Sequence, residues 1–223
     1  MDFVRPIEAI VPSAQGRVLA VLVETTAELN LRTIAQLSGV SQAQTSRLLP
    51  ELVDLGVVER REVPPSSLFR LVPEHIASRA LLALARSDEA VVDEMGRLAR
   101  DLPHPPVSVI AFGSFARREA DADSDIDVVI VRPVEIDEDD DAWITSLDSW
   151  RSAVRQLSGN PVEILEVSAA DAATKLRGRS PVWTDIRRDG QVVHGLDIDA
   201  LQGTRVDQSA TTPSRSRSAR PTS

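Results

Sequence analysis

The sequence predicts an α+β chain of two modules: a helical N-terminal module closed by a β-hairpin, then a small α/β module with a short sheet. Three observations lead there. Apolar residues recur at helical spacing between Ser13 and Leu55. A strand, turn and strand pattern follows over 57–72, with Pro64-Pro65-Ser66-Ser67 as the turn. Beyond residue 106, short β-branched runs alternate with helical stretches. A chain of 223 residues that is 42% hydrophobic can build two such cores. The boundaries read as 13–73 for the first domain, 74–104 for a helical connector, 105–199 for the second domain and 200–223 for a disordered tail.

In the first domain, Val18, Leu19, Val21, Leu22 and Val23 mark a core helix over Ser13 to Glu24, too short and too charged to span a membrane. A second helix follows over 31–38. Gly39-Val40 is a tight turn, Ser41 caps a third helix running to about Leu55, and Gly56 ends it. This is helix-turn-helix spacing. The third helix shows Gln42, Gln44, Thr45, Ser46 and Arg47 early, while Leu48, Leu49, Leu52, Val53 and Leu55 form its apolar stripe. With the hairpin as a wing, the segment resembles bacterial winged-helix regulators. The resemblance implies DNA as partner, with Gln42, Gln44, Thr45 and Arg47 at base edges and Arg60 and Arg61 at phosphates. Charge argues the other way. Residues 1–74 hold seven Arg against nine Asp or Glu, a net −2, so DNA contact depends on local placement and a protein-interaction module is the alternative.

Between His75 and Leu102, Ile76, Ala80, Leu81, Leu84, Val91, Val92, Met95 and Leu98 recur at helical intervals, which predicts two helices ending near Pro103. The second is expected to open the C-terminal domain. His75, His104 and His194 are isolated in sequence and are assigned no chemistry.

The chemistry concentrates further on. Val107 to Phe112 reads as a buried strand that stops at Gly113-Ser114, and ten residues separate Ser114 from Asp125-Ile126-Asp127 in the next strand. Gly113 permits close backbone approach to a ligand. Ser114 is expected to cap a short Phe115-Ala116-Arg117 helix whose free N–H groups suit phosphate oxygens. Alternation along a strand points Asp125 and Asp127 the same way, about 6.5 Å apart, while Ile126 and Val128 face the core. Two carboxylates beside a phosphate cradle can chelate the paired divalent ions of a phosphoryl displacement. The plain alternative is a solvated acidic loop, since Glu119, Asp121 and Asp123 lie in the same stretch.

Phe112-Gly113-Ser114-Phe115-Ala116-Arg117 with Ser124-Asp125-Ile126-Asp127 resembles the minimal nucleotidyltransferases of the DNA polymerase β superfamily. The likeness covers about 107–195 and implies a small α/β nucleotidyltransferase domain with a short mixed sheet. It also implies a third carboxylate on a later strand. Over 161–167 the choice is Glu163, because Glu166 sits an odd number of residues away and points to the opposite face. Family members often carry Gly where this chain has Arg118, a departure in the loop after the cradle. Trp183 to Gly195 resembles the closing helix and turn of these domains.

By that resemblance, Asp125, Asp127 and Glu163 hold two Mg²⁺ ions and carry catalysis. Gly113 and Ser114 seat the phosphates of a nucleoside triphosphate, commonly ATP. A hydroxyl of the acceptor attacks the α-phosphorus and pyrophosphate leaves. Acceptors in the family include proteins, RNA ends and small molecules, and some minimal members act as antitoxins that modify a partner toxin. The competing expectation is a transcriptional regulator whose nucleotidyltransferase-like domain binds nucleotide without turnover.

Composition adds bounds. The chain has no cysteine, which removes disulfides and thiolate metal sites, and it has no run approaching 20 apolar residues, so a cytoplasmic protein with no membrane partner is expected. Lys175 is its single lysine, a bias of GC-rich bacterial genomes. The acidic run Glu135 to Asp141 precedes a helix containing Trp143 and Trp150, where negative charge suits the helix dipole. After Ala200 the chain is polar, and Arg215, Arg217 and Arg220 are candidates for weak nucleic-acid contact at most.

Overall fold

A computed structural model describes residues 1–203. The first elements are α1 (Pro6–Ile10), α2 (Ala14–Val23), β1 (Leu29–Asn30), α3 (Leu31–Ser38) and α4 (Gln42–Asp54), followed by the hairpin β2 (Val58–Val63) and β3 (Ser66–Leu71). Capping sets their boundaries. Ser13, Asn30 and Ser41 accept hydrogen bonds from Gly16, Thr33 and Gln44 at the starts of α2, α3 and α4, and Gly39, at φ 64°, ends α3 in the left-handed region. The three strands order as β1-β3-β2, all antiparallel, so the wing gains a short third strand that the sequence pattern does not announce.

Two helices follow, α5 (Ile76–Ala85) and α6 (Ser87–Arg100), and they belong to different domains. Leu81, Leu82 and Leu84 of α5 pack against the core built from Val18, Leu22, Ile34, Leu49, Leu52 and Phe69. Val91, Met95 and Ala99 of α6 instead join the core of the second domain. The expected connector over 74–104 is therefore divided between two cores.

The second domain runs β4 (Ser108–Phe112), α7 (Gly113–Ala116), β5 (Ile126–Arg132), α8 (Asp141–Ser158), β6 (Val162–Ser168), α9 (Ala169–Arg177), α10 (Pro181–Asp189), β7 (Gln191–Gly195) and α11 (Ile198–Gly203). Its mixed sheet has the order β6-β5-β4-β7, with β5 and β6 parallel and the other pairs antiparallel. Both faces are covered. Val109, Ala111, Ile126, Val128, Ile130 and Val162 meet α6 and α8, including Trp143 and Trp150. Ile110, Val129, Val131 and Val167 meet α9, α10 and α11 through Leu176, Trp183, Ile186 and Leu201. Each such side chain contributes roughly 1.5–3 kcal/mol when fully buried. Asp140 caps α8 by accepting from the Trp143 N–H at 2.8 Å, which gives the acidic run a structural role at the helix start.

Two boundaries differ from expectation. The chain remains ordered past residue 200, because Leu201 is 2% exposed and anchors α11 through Gly203; the rest of the expected tail, with Arg215, Arg217 and Arg220, lies outside the described residues. At the other end, Ile7 of α1 enters the first core, while Phe3 packs in the second. The Phe3 N–H donates to the Ala120 carbonyl at 3.0 Å, and its ring meets Phe115 edge-on with centroids 5.1 Å apart. The first residues of the chain thus form a strap from α7 to the helical domain.

Candidate functional site

The site is built where β4 ends and β5 and β6 begin. Phe112 pairs with Asp127, and Asp127 pairs with Glu163, so the cradle and two carboxylates stand side by side on adjacent strands. Parity fixes the face. Asp127 and Glu163 share it with Val129, Val131 and Val167, whereas Glu166 lies on the other face, where its Oε1 accepts from Arg132 Nε at 2.6 Å and Trp143 Nε1 at 3.0 Å. Glu166 is a structural anchor for a nearly buried guanidinium, and Glu163, which is exposed, remains free for chemistry.

Gly113 takes φ 70°, and a Cβ there would stand 2.4 Å from Asp127 Oδ2. Both facts require glycine. Ser114 does not cap. Phe112 occupies the N-cap position without a side-chain hydrogen bond, because α7 begins two residues earlier than expected and Ser114 falls inside its turn. Asp125 stands one residue ahead of β5 and is exposed, and Asp127 is half-buried.

Burial raises the Asp127 carboxyl above the usual carboxylate range, the charges of Asp125 and Glu163 push it further, and Arg117 pulls it back. Asp125 and Glu163 therefore act electrostatically on Asp127. They are not yet a closed cage: among the described residues no group of three or more His, Asp or Glu side chains is gathered tightly enough to hold a metal ion. All-oxygen donors, one of them reluctant to ionise alone, fit a hard divalent cation. Arg117, bonded to Glu119 at 2.8 Å, is the cation sequence reading passed over; only its place three residues after Ser114 hints at it.

Arg118, where the family often has glycine, adopts φ 58°, the left-handed region itself. The backbone keeps the turn that glycine would ease. Arg118 also reaches Asp88 and Glu89 in the first turn of α6, each at 3.3 Å; the guanidinium is exposed, and such surface ion pairs contribute little to stability.

On the helical domain, Gln42, Gln44 and Arg47 are exposed on α4. Arg47 has no hydrogen-bond or ion-pair partner among the described residues. Thr45 is a correction. It is buried, with Oγ1 donating to the Ser41 carbonyl at 3.0 Å, because positions 45, 49 and 52 form the inward stripe of α4. The wing arginines are exposed but engaged: Arg60 pairs with Glu62 at 2.7 Å, Arg61 with Glu28 and Arg70 with Glu59. These carboxylates offset part of the charge that Arg60 and Arg61 offer a phosphate, while each guanidinium keeps Nη1 outside the contacts. A cleft of about 320 Å³ separates α4 from the wing, lined by Leu49, Val53, Arg60, Ser67 and Phe69 among others.

Comparison with known families matches a segment of each domain. The nucleotidyltransferase domain family matches residues 94–176, a span that includes Gly113, Ser114, Asp125, Asp127 and Glu163, and the IclR helix-turn-helix domain family matches residues 16–62. The chain joins a helix-turn-helix domain to a nucleotidyltransferase domain. The nucleotidyltransferase match starts within α6, in keeping with the packing of that helix on the sheet. Among solved structures, a MarR family transcriptional regulator, SPO1453 from Silicibacter pomeroyi DSS-3, is 27% identical over 39% of this chain and 62% of its own, with a TM-score of 0.29. That superposition is too poor to bear on fold or function. No curated protein matches the chain. Among the described residues, no helix is long and apolar enough to cross a membrane.

Proposed function

We propose that the nucleotidyltransferase domain transfers a nucleoside monophosphate from a nucleoside triphosphate, ATP being the first donor to test, to a hydroxyl of an acceptor molecule. The observation that carries this reading is the register Phe112–Asp127–Glu163, which brings a glycine-lined turn and two carboxylates to one sheet edge, with Asp125 one residue outside it. Asp125, Asp127 and Glu163 are the residues to hold two Mg²⁺ ions. When bound, these supply Lewis-acid stabilisation of the charge that builds on the α-phosphate.

The chain's own groups do the rest. Gly113 carries no Cβ where one would stand 2.4 Å from Asp127 Oδ2, so the turn and that carboxylate can sit together and residue 113 presents only backbone to a triphosphate. The Ser114 hydroxyl, which makes no hydrogen bond among the described residues, donates to a phosphate oxygen, and Arg117 balances part of the negative charge. Glu163, exposed at the edge, accepts the proton of the attacking hydroxyl. Pyrophosphate then departs toward solvent.

The helix-turn-helix domain supplies the second activity in this reading: Gln42, Gln44 and Arg47 face the major groove of DNA and the wing lies along the backbone. A protein acceptor, such as a toxin encoded beside this gene, fits an enzyme tethered to its own operator. The reading predicts that host lysate incubated with α-labelled ATP and Mg²⁺ acquires label with the wild-type chain and not with Asp125→Ala or Asp127→Asn. Equal labelling by the variants removes the assignment. If the wild type binds ATP yet labels nothing, a nucleotide-sensing regulator replaces the enzyme.

A further inference from the structure

Asn160 is fully buried at 0% exposure, and its side chain is committed on every side. The end of α8 puts it there: Gly159, at φ 78°, terminates the helix in the left-handed region and turns the next residue inward, where its N–H donates to Ser158 Oγ at 3.2 Å. Asn160 Nδ2 then donates to the Asp121 carbonyl at 3.1 Å and the Ser124 carbonyl at 2.9 Å. Its Oδ1 accepts from the Met1 amine at 2.6 Å. Only an amide in this orientation meets two acceptors and one donor at once.

The two carbonyls belong to the loop that delivers Asp125. Within it, Asp121 Oδ1 accepts from the Asp123 N–H at 3.1 Å and from Ser124 Oγ at 2.8 Å, and Ser124 Oγ accepts from the Asp121 N–H at 3.0 Å. That turn is locally closed but exposed. Its attachment to the domain is the Asn160 amide, followed at the next step by the Ile126 N–H donating to the Pro161 carbonyl at 2.8 Å. Asn160 and Pro161 immediately precede β6, which carries Glu163, while Ser124 immediately precedes Asp125.

We infer that Asn160 is the positioning residue of the acidic site: one buried amide fixes the loop before Asp125 against the root of the strand that carries Glu163, and so sets the spacing between outer carboxylates. The inference rests on the proposed carboxylate site. It adds a residue that touches neither nucleotide nor metal, and it joins the site to the N-terminal strap, since the amide that holds the loop also holds Met1. Repulsion among the three acids would otherwise spread the loop outward, which is why a rigid tether belongs here rather than a solvated turn.

The test uses the full chain and Mn²⁺ alone as probe, with bound ion counted by electron paramagnetic resonance and loop opening followed by amide hydrogen exchange over 121–126. Asn160→Ala is expected to weaken Mn²⁺ binding about tenfold and to speed exchange in that loop. Asn160→Asp, which keeps the volume but has no N–H to give, covers the case in which the alanine variant does not fold. Trp150→Phe is the structural control. It removes a buried hydrogen bond from Nε1 to the Met95 carbonyl at 3.1 Å in the same core, and it is expected to lower the Tm while leaving Mn²⁺ affinity unchanged. Wild-type affinity and exchange in the Asn160 variants, or an equal loss of affinity in Trp150→Phe, overturns the positioning role. Asp125→Ala separates the two layers: if it binds Mn²⁺ like wild type, the carboxylate site itself is wrong and the inference falls with it.

Discussion

Replacing Gly113 with alanine perturbs the site at its narrowest point. The structure supplies two costs. Holding an L-residue at φ 70° costs about 1–2 kcal/mol, and the new methyl stands 2.4 Å from Asp127 Oδ2 and 3.3 Å from its Cγ. The carboxylate must swing away by at least about half an ångström, and because it is the mobile end of a side chain the steric part adds only about 1 kcal/mol. Gly113→Ala should therefore lower stability by about 2–3 kcal/mol, read as a shift in denaturant midpoint at constant m. Activity should fall further than stability, since a catalytic group displaced by about 1 Å can cost on the order of 100-fold in rate. The decisive form is a double-mutant cycle. In an Asp127→Ala background the methyl meets no carboxylate, so the same substitution should cost only the backbone part, leaving a coupling of about 1 kcal/mol. A coupling near zero refutes the close approach of Gly113 and Asp127.

Three further outcomes follow from the same geometry. Asp127→Asn should stabilise the metal-free protein at pH 7, by about 0.5–2 kcal/mol as is common for functional-site changes. The sign is fixed by the raised Asp127 pKa: its contribution to stability is present below the unfolded carboxyl pKa and lost as pH rises through the folded value, so wild type and variant should converge below about pH 4 in thermal melts. Glu166→Ala should cost about 2–3 kcal/mol, because it leaves the Arg132 guanidinium and Trp143 Nε1 without their shared acceptor, whereas exposed Glu163→Ala should change stability by less than about 0.5 kcal/mol and abolish transfer; equal stability losses in chemical denaturation would contradict the face assignment. On operator DNA, Arg47→Ala should weaken binding by about 1–3 kcal/mol, while Arg61→Ala, already paired with Glu28, should change it by less; gel-shift titrations in which Arg61→Ala costs more would reverse the roles of α4 and wing.

The local signals carried well into the fold. The cap at Ser41, the glycines Gly39 and Gly56 at helix ends, and β-branched alternation over 126–131 each state a backbone preference that tertiary packing does not oppose. Glu163 was separable from Glu166 by parity alone, because strand alternation is a property of the chain itself. Thr45 was misread although its stripe with Leu49 and Leu52 was visible, since a short polar side chain carries no sign of which way it faces. The cap expected at Ser114 lies two residues earlier, at Phe112, within the usual ambiguity of helix starts. What sequence could not carry is non-local. The Met1 to Asn160 bond joins residues 159 apart, Arg61 meets Glu28 and Arg70 meets Glu59 across distant stretches of sequence, and Leu201 is buried in the cluster that holds Leu176 and Trp183. Arg118 at φ 58° hides a glycine-like turn under a charged side chain.

The most direct test of the account is where the label goes. Purified chain, host lysate and Mg²⁺ are incubated in parallel with ATP labelled at the α- or the γ-phosphate. Nucleotidyl transfer predicts α-label on an acceptor and γ-label in pyrophosphate, both lost in Asp127→Asn. Label from the γ position on the acceptor, or α-labelling that survives that substitution, contradicts it.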